Sequence, residues 1–93
     1  MVVGVCVMDL HLPGCQSLKE KRRVLKSVIG RLQSRLNVAV AEIDFQDTWQ
    51  QASLGICTIA NSGARVDEVL AQAARLVESE SRLQVIRIST ERR

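Results

Sequence analysis

Apolar and polar residues alternate along the first dozen positions, and that alternation is the clearest structural signal in the chain. Val2, Gly4, Cys6, Met8, Leu10 and Leu12 share one parity and are all apolar, while the other parity runs Val3, Val5, Val7, Asp9, His11. A period of two belongs to a β-strand, whose successive side chains point to opposite faces, so the even residues predict a core face. The odd face is apolar only over its first half. Pro13-Gly14 then turns the chain, and Ser17 with Glu20 forms an S-x-x-E capping box that opens a helix. Leu18, Leu25, Val28, Ile29, Leu32 and Leu36 follow at helical spacing, which predicts a helix over 18–36 ended by Asn37.

Beyond that helix, Val38 to Asp44 has the β-branched content of a strand, weakened by Ala39 and Ala41. Phe45 to Gln50, FQDTWQ, is a polar connection, and Ser53 to Ala60 is a further strand, antiparallel to its predecessor because the connection is short. Asn61-Ser62-Gly63 supplies cap and turn chemistry, and Val66, Val69, Leu70, Ala73, Leu76 and Val77 mark a second amphipathic helix over 64–79. Leu83 to Thr90 reads as the last strand, with a terminal Glu-Arg-Arg expected to fray. The order β-α-β-β-α-β is a split βαβ arrangement. It predicts a single α+β domain across 1–93, a ferredoxin-like sandwich with one antiparallel sheet, two helices on one face, and the first and third strands at the centre.

Charge changes this picture by its distribution. The formal net charge is only +3, yet Ser17 to Leu36 holds Lys19, Lys21, Arg22, Arg23, Lys26, Arg31 and Arg35 against Glu20 alone, leaving the rest of the chain net negative. Lys19, Arg22, Arg23 and Lys26 are related by steps of three and four, which sets them in one ridge opposite the apolar stripe. Lys19 and Lys21 fall in the first turn, where the helix dipole disfavours cations by about 0.3–1 kcal/mol each. A strand, a Gly-containing turn and a helix N-terminus flanked by Lys19, Lys21, Arg22, Arg23 and Lys26 suit phosphate, since dipole and side chains attract the same anion. The competing reading is a solvated helix face, with the capping box occupying some of the amides. Base stacking on the sheet does not fit, because neither the first strand nor Ser53 to Ala60 carries an aromatic residue. Contact with nucleic acid is therefore expected from helix to phosphate, weakly sequence-specific and salt-sensitive.

Other chemistry is sparse. Cys6, Cys15 and Cys57 are odd in number and lack C-x-x-C spacing, which argues against a disulfide framework and a zinc site. Cys6 and Cys57 are expected in the core, and Cys15 in the turn, where it reads first as a plain loop residue and second as a reactive thiolate favoured by the helix N-terminus and nearby lysines. Glu42, Asp44 and Asp47 cluster, and strand periodicity sets Glu42 and Asp44 on one face; with Asp9 they form the oxygen set a Mg²⁺-dependent phosphodiesterase needs. Against that, Asp9 belongs to a central strand and Glu42 to an edge strand, with a strand between them. No catalytic residue, metal site or cofactor is therefore expected. His11 has no acid or nucleophile at a suggestive spacing and reads as a solvent-facing strand residue. Phe45 and Trp49, the only aromatic residues, read either as a partner-contact loop or as packing over the sheet edge. Val3, Val5 and Val7 point away from the helices, and Val85 or Ile86 with Ile88 makes the last strand apolar on both faces, which predicts a homodimer formed through the bare sheet. Asp9 and His11 break the N-terminal apolar run, which reads as neither leader nor membrane span and points to a cytoplasmic location.

Leu12-Pro13-Gly14, Ser17-Leu18-Lys19, Lys21-Arg22-Arg23, the A-E-x-D-x-Q-D-x-W-Q run from Ala41 to Gln50, and Leu54-Gly55 together resemble the YlxP-like family of small bacterial proteins of unknown function. The resemblance covers nearly the whole chain. It implies a ferredoxin-like fold and, from the usual neighbourhood of these genes among translation and ribosome-maturation genes, a link to RNA or a ribosomal particle. It carries over no catalytic residue, and Cys15 lies outside its motifs. The Pro-Gly turn is also similar to that of ACT regulatory domains, which bind amino acids at interfaces between paired domains, although this helix is more basic than that role requires. The expectation is a non-enzymatic binding protein for RNA or a ribosomal particle, with an ACT-like ligand module and a metal-dependent phosphodiesterase as the alternatives.

Overall fold

A computed structural model describes residues 1–93. The even residues of the first strand line the core: Cys6, Met8, Leu10 and Leu12 are all buried. The elements are β1 (Val2–His11), α1 (Leu18–Arg35), β2 (Ala39–Asp44), β3 (Gln51–Ala60), α2 (Gly63–Glu78) and β4 (Gln84–Arg92). They form one antiparallel sheet in the order β2-β3-β1-β4, so the first and third strands are central. Leu25, Val28 and Leu32 of α1 and Val66, Leu70, Ala73 and Val77 of α2 meet Cys6, Met8, Leu54 and Ile56 in one core. Both helices lie on one sheet face in the expected ferredoxin-like arrangement. No helix is long and apolar enough to cross a membrane.

Local chemistry sets the helix starts. Ser17 Oγ accepts from the Glu20 amide at 3.1 Å, and Glu20 Oε2 accepts from the Gln16 amide at 2.7 Å. Ser62 Oγ does the same for Arg65 N at 3.2 Å, each such cap contributing about 1 kcal/mol. Gly4 allows α2 to approach the sheet. A Cβ there would overlap Val66 Cγ1 and stand 2.9 Å from Leu70 Cδ1.

Three expectations are overturned. Cys57 is exposed rather than core, because its register partner is Val5, which faces away from the helices. Glu42 and Asp44 do not share a face. A bulge at Ile43 sets Glu42 opposite Leu54 and Asp44 opposite Ser53, consecutive residues of β3 that point to opposite sides. The C-terminus is not frayed either. Arg93 exchanges two backbone hydrogen bonds with Val3, at 3.0 and 2.7 Å, and the Arg92 guanidinium grips the Asp67 carboxylate on α2.

The face opposite the helices is bare, as the odd parity of β1 predicts. Val3, Val5 and Val7 are half-buried there, beside exposed Ala39, Ala41, Ile43, Cys57 and Ile59. On β4, Ile86 falls in a register shift and is exposed, while Ile88 pairs with Met8 and so faces the helix side at an edge the helices leave open.

Candidate functional site

Helix α1 presents Lys19, Arg22, Arg23 and Lys26 to solvent, all exposed, opposite a buried stripe of Val24, Leu25, Val28 and Leu32. Their electrostatic state follows from who is paired. Of the 13 Lys and Arg residues, seven lie within 4 Å of a carboxylate: Lys21 on Glu42, Arg31 and Arg82 on Glu80, Arg65 on Glu68, Arg87 on Asp9, Arg92 on Asp67 and Arg93 on Glu91. The six left are Lys19, Arg22, Arg23, Lys26 and Arg35 on α1, with Arg75 alone on α2. The uncompensated positive field therefore belongs to one helix. The ridge borders two clefts. Arg23 reaches one of about 490 Å³, shared with Gly14, Cys15, Glu20 and Arg82. Arg22 and Lys26 line another of about 460 Å³ between α1 and β2, with Gly30, Gln33 and Glu42.

Lys21 does not belong to that ridge, contrary to the expectation from its charge. It is fully buried. Its Nζ donates to Phe45 O at 2.6 Å, Gln51 O at 3.0 Å and, more weakly, Gln46 O at 3.5 Å, and Glu42 Oε2 lies 2.9 Å away as an ion pair. The carboxylate sits off the line of a hydrogen bond, so the three carbonyls take the directed contacts and Glu42 supplies charge. Spacing carried the signal: Lys21, Leu25, Val28 and Leu32 step by four, three and four, which continues the apolar stripe.

This ammonium fastens the β2–β3 loop to the first turn of α1. Phe45 adopts φ +62°, a left-handed conformation uncommon outside glycine, and is held by Lys21 on its carbonyl and Asp44 Oδ1 on its amide at 2.8 Å. Gln50 Nε2 donates to Cys15 O at 3.1 Å and Pro13 O at 3.3 Å, closing the loop onto the β1–α1 turn. Phe45 and Trp49 are thereby exposed on a loop tied to the start of the basic helix, Trp49 to 51%.

Cys15 is buried, and burial pushes its thiol up, with the Glu20 carboxylate adding to the effect. Lys21 and Arg82 pull the other way and are outweighed, so a thiolate is not favoured. The four carboxylates weighed as metal ligands do not converge. Glu42 faces α1, whereas Asp9 and Asp44 lie on the other side, Asp9 accepting from Ser53 Oγ at 2.9 Å. No three His, Cys, Asp or Glu side chains gather to hold an ion. His11 Nδ1 stands 3.4 Å from Gln84 Oε1 on the neighbouring strand.

One charged cluster had no local signal in the sequence. Glu80, buried in the α2–β4 turn, accepts from the Arg82 amide and Nε at 2.9 Å each, from Arg82 Nη2 at 2.8 Å, and from Arg31 Nη2 at 2.7 Å. Arg82 holds the Glu80 carboxyl down at about 2 from its ordinary 4.5, more than burial raises it. Its contribution to stability is full above pH 4.5 and is lost as the pH falls from 4.5 through 2. Glu80→Gln is expected to cost on the order of 1–3 kcal/mol at neutral pH. In urea titrations the gap between wild type and Glu80→Gln should close over that acid range, and a pH-independent gap would contradict the assignment.

Residues 3–90 match the sequence profile of the family described as "Protein of unknown function (DUF503)". The chain belongs to that family. "Uncharacterized protein YlxP" of Bacillus subtilis (strain 168) is 37% identical over 78 residues, spanning 84% of this chain and 85% of that one. Among solved structures, the de novo designed protein Foldit4 superposes with TM-score 0.57 at 13% identity, covering 98% of this chain and 97% of its own. The de novo designed LFR1 1, described as having a ferredoxin fold, superposes with TM-score 0.53 at 16% identity, covering 100% of this chain and 83% of its own. These likenesses establish the fold. The family's function is unknown.

Proposed function

We propose that this DUF503 protein binds RNA, free or in a ribosomal particle, through phosphate contacts from Lys19, Arg22, Arg23 and Lys26. The observation that carries the reading is the pairing census. Seven of the 13 cations have a carboxylate within 4 Å, and five of the six that have none lie on α1. Lys19 stands there despite the positive end of the helix dipole, and local rules tend to be broken where function requires it. Lys19 to Lys26 spans about 10 Å of helix axis, enough to meet neighbouring phosphates. Trp49, on the loop that Lys21 ties to this helix, supplies an exposed aromatic surface for a partner group. The link to translation genes that accompanies the family resemblance points the same way.

Fluorescence anisotropy with labelled single-stranded and duplex RNA tests this. Arg22→Ala with Arg23→Ala is expected to weaken binding about tenfold and similarly across sequences, because phosphate contacts position without reading bases. Circular dichroism should be unchanged, since both side chains are exposed. Equal affinities for two folded proteins would refute the reading.

A further inference from the structure

The sheet face opposite the helices carries uncharged rows on β1, β2 and β3 from Val3 to Val7, each ending at β4 on a polar residue: Arg93 beside Val3, Glu91 beside Val5 and Ser89 beside Val7. Register pairs Val3 with Ile59, Val5 with Cys57 and Val7 with Gly55. Strand β2 adds Ala39 beside Cys57 and Ala41 beside Gly55, and bulged Ile43 leans over Gly55, its Cγ2 2.9 Å from where a Cβ would stand. Ile43 and Ile59 are each 49% exposed, and no element of the chain covers them. A shallow apolar hollow of about 340 Å³ runs between Val5, Val7, Ala41, Ile43 and Cys57. Contiguous exposed apolar surface of this kind marks association.

We propose that this face is a homodimer interface, in which a second copy lays its own bare sheet against it about a two-fold axis parallel to the strands. The size fits. Four strands about 4.8 Å apart and six to ten residues long give a flat footprint of about 400–600 Å², which side-chain relief raises toward the ~800 Å² per partner of a standard interface. The order of rows selects the axis. An axis along the strands keeps each row level with itself and reverses strand order, so the apolar residues of β1 meet those of β3, with Glu91 and Ser89 of β4 over Ala39 and Ala41 at the rim. An axis across the strands would lay the Val3–Ile59 row over the His11–Gln51 row and bury polar groups against valine and isoleucine.

Charge complementarity supports the same choice. Asp44, Ser53, Asp9 and Arg87 form one row across the four strands. Reversing strand order sets Asp44 of each copy over Arg87 of the other, so the pair forms twice. Asp44 has no cation within 4 Å in its own chain, and Arg87, 77% exposed, meets Asp9 only at 3.6 Å. Both α1 ridges then face outward, away from each other, so their like charges do not oppose the pairing.

Cys57 is the reporter. It lies in the centre of the patch and is exposed, whereas Cys6 and Cys15 are buried, so the folded chain has one accessible thiol. Sedimentation equilibrium at tens of micromolar is expected to give twice the 10.3 kDa chain mass. Cys57 should react with a thiol reagent about tenfold more slowly there than on dilution, as mass action requires. Val5→Glu should sediment as a monomer with a fast-reacting Cys57. If circular dichroism shows that variant unfolded, Ile59→Lys, at a more exposed position, decides instead. A wild type that stays monomeric with freely reactive Cys57 overturns the proposal, and so does a dimer that survives Ile59→Lys.

Discussion

Lys21→Ala is expected to lower the free energy of unfolding by about 3–5 kcal/mol, the cost of removing one partner from a buried ion pair. A chain of this length has on the order of 5–15 kcal/mol in total, so a large part of its stability is at stake. The cost has three sources. Glu42 keeps a largely buried carboxylate without its counter-ion, the Phe45 and Gln51 carbonyls lose their donor, and the fully buried side chain leaves a void. Urea titration followed by circular dichroism reads this directly. Lys21→Met with Glu42→Leu should recover part of the loss, because it removes the unpaired charge and refills the void but leaves the carbonyls without their donor. Lys19→Ala, one turn position away but exposed, should change stability by less than about 0.5 kcal/mol. A Lys21→Ala loss as small as that of Lys19→Ala would return Lys21 to the solvent-facing ridge.

Gly4→Val is expected to be comparably severe, about 3 kcal/mol or more, at the upper end of what overpacking a core costs. The Cβ alone would overlap Val66 Cγ1 and crowd Leu70, both in the N-terminal half of α2 and both buried, so α2 must lift from β1 or the strand must shift. Gly4→Ala should cost less, about 1–3 kcal/mol. Val66→Ala introduced with Gly4→Ala should relieve part of that loss, a coupling expected only of residues in contact. Guanidinium titration of the four-protein cycle measures it. Strict additivity would show that the close approach of α2 at Gly4 is absent in solution.

Most of the architecture was legible because both periods are clean: the even parity of β1 and the three-four spacing of α1 and α2 each name the face that is buried. The departures come from events that a local pattern does not encode. The bulge at Ile43 inserts one residue into β2, and parity fails from that residue on, which separates Glu42 from Asp44. Cys57 read as core because it sits in the apolar run of β3, yet its neighbours show that β3 is apolar on both faces, so hydrophobicity alone did not tell which face is covered. Arg92 and Arg93 read as a loose tail because their partners, Asp67 and Val3, are distant in sequence.

The candidate site was legible in outline and misread at one residue. Lys21 belongs by charge to the ridge and by spacing to the stripe, and burial with three carbonyls and Glu42 decides for the stripe. The reverse holds for Arg31 and Arg82. Both contribute to a basic count, yet both are held on Glu80, which offsets one of their two charges. What remains free is narrower than the composition indicates and is better defined: Lys19, Arg22, Arg23 and Lys26, with Arg35 at the helix end.

The salt dependence of RNA binding tests that ridge most directly, since it counts phosphate contacts without requiring the sequence of the ligand. With the four ridge cations engaged, the log of the association constant for a single-stranded RNA should fall with log salt at a slope of about −2.8, about −0.7 per contact. Arg22→Ala with Arg23→Ala should flatten the slope by about 1.4 under the same conditions. A slope near zero, or equal slopes for two folded proteins, would contradict the account and leave α1 as a solvated helix face.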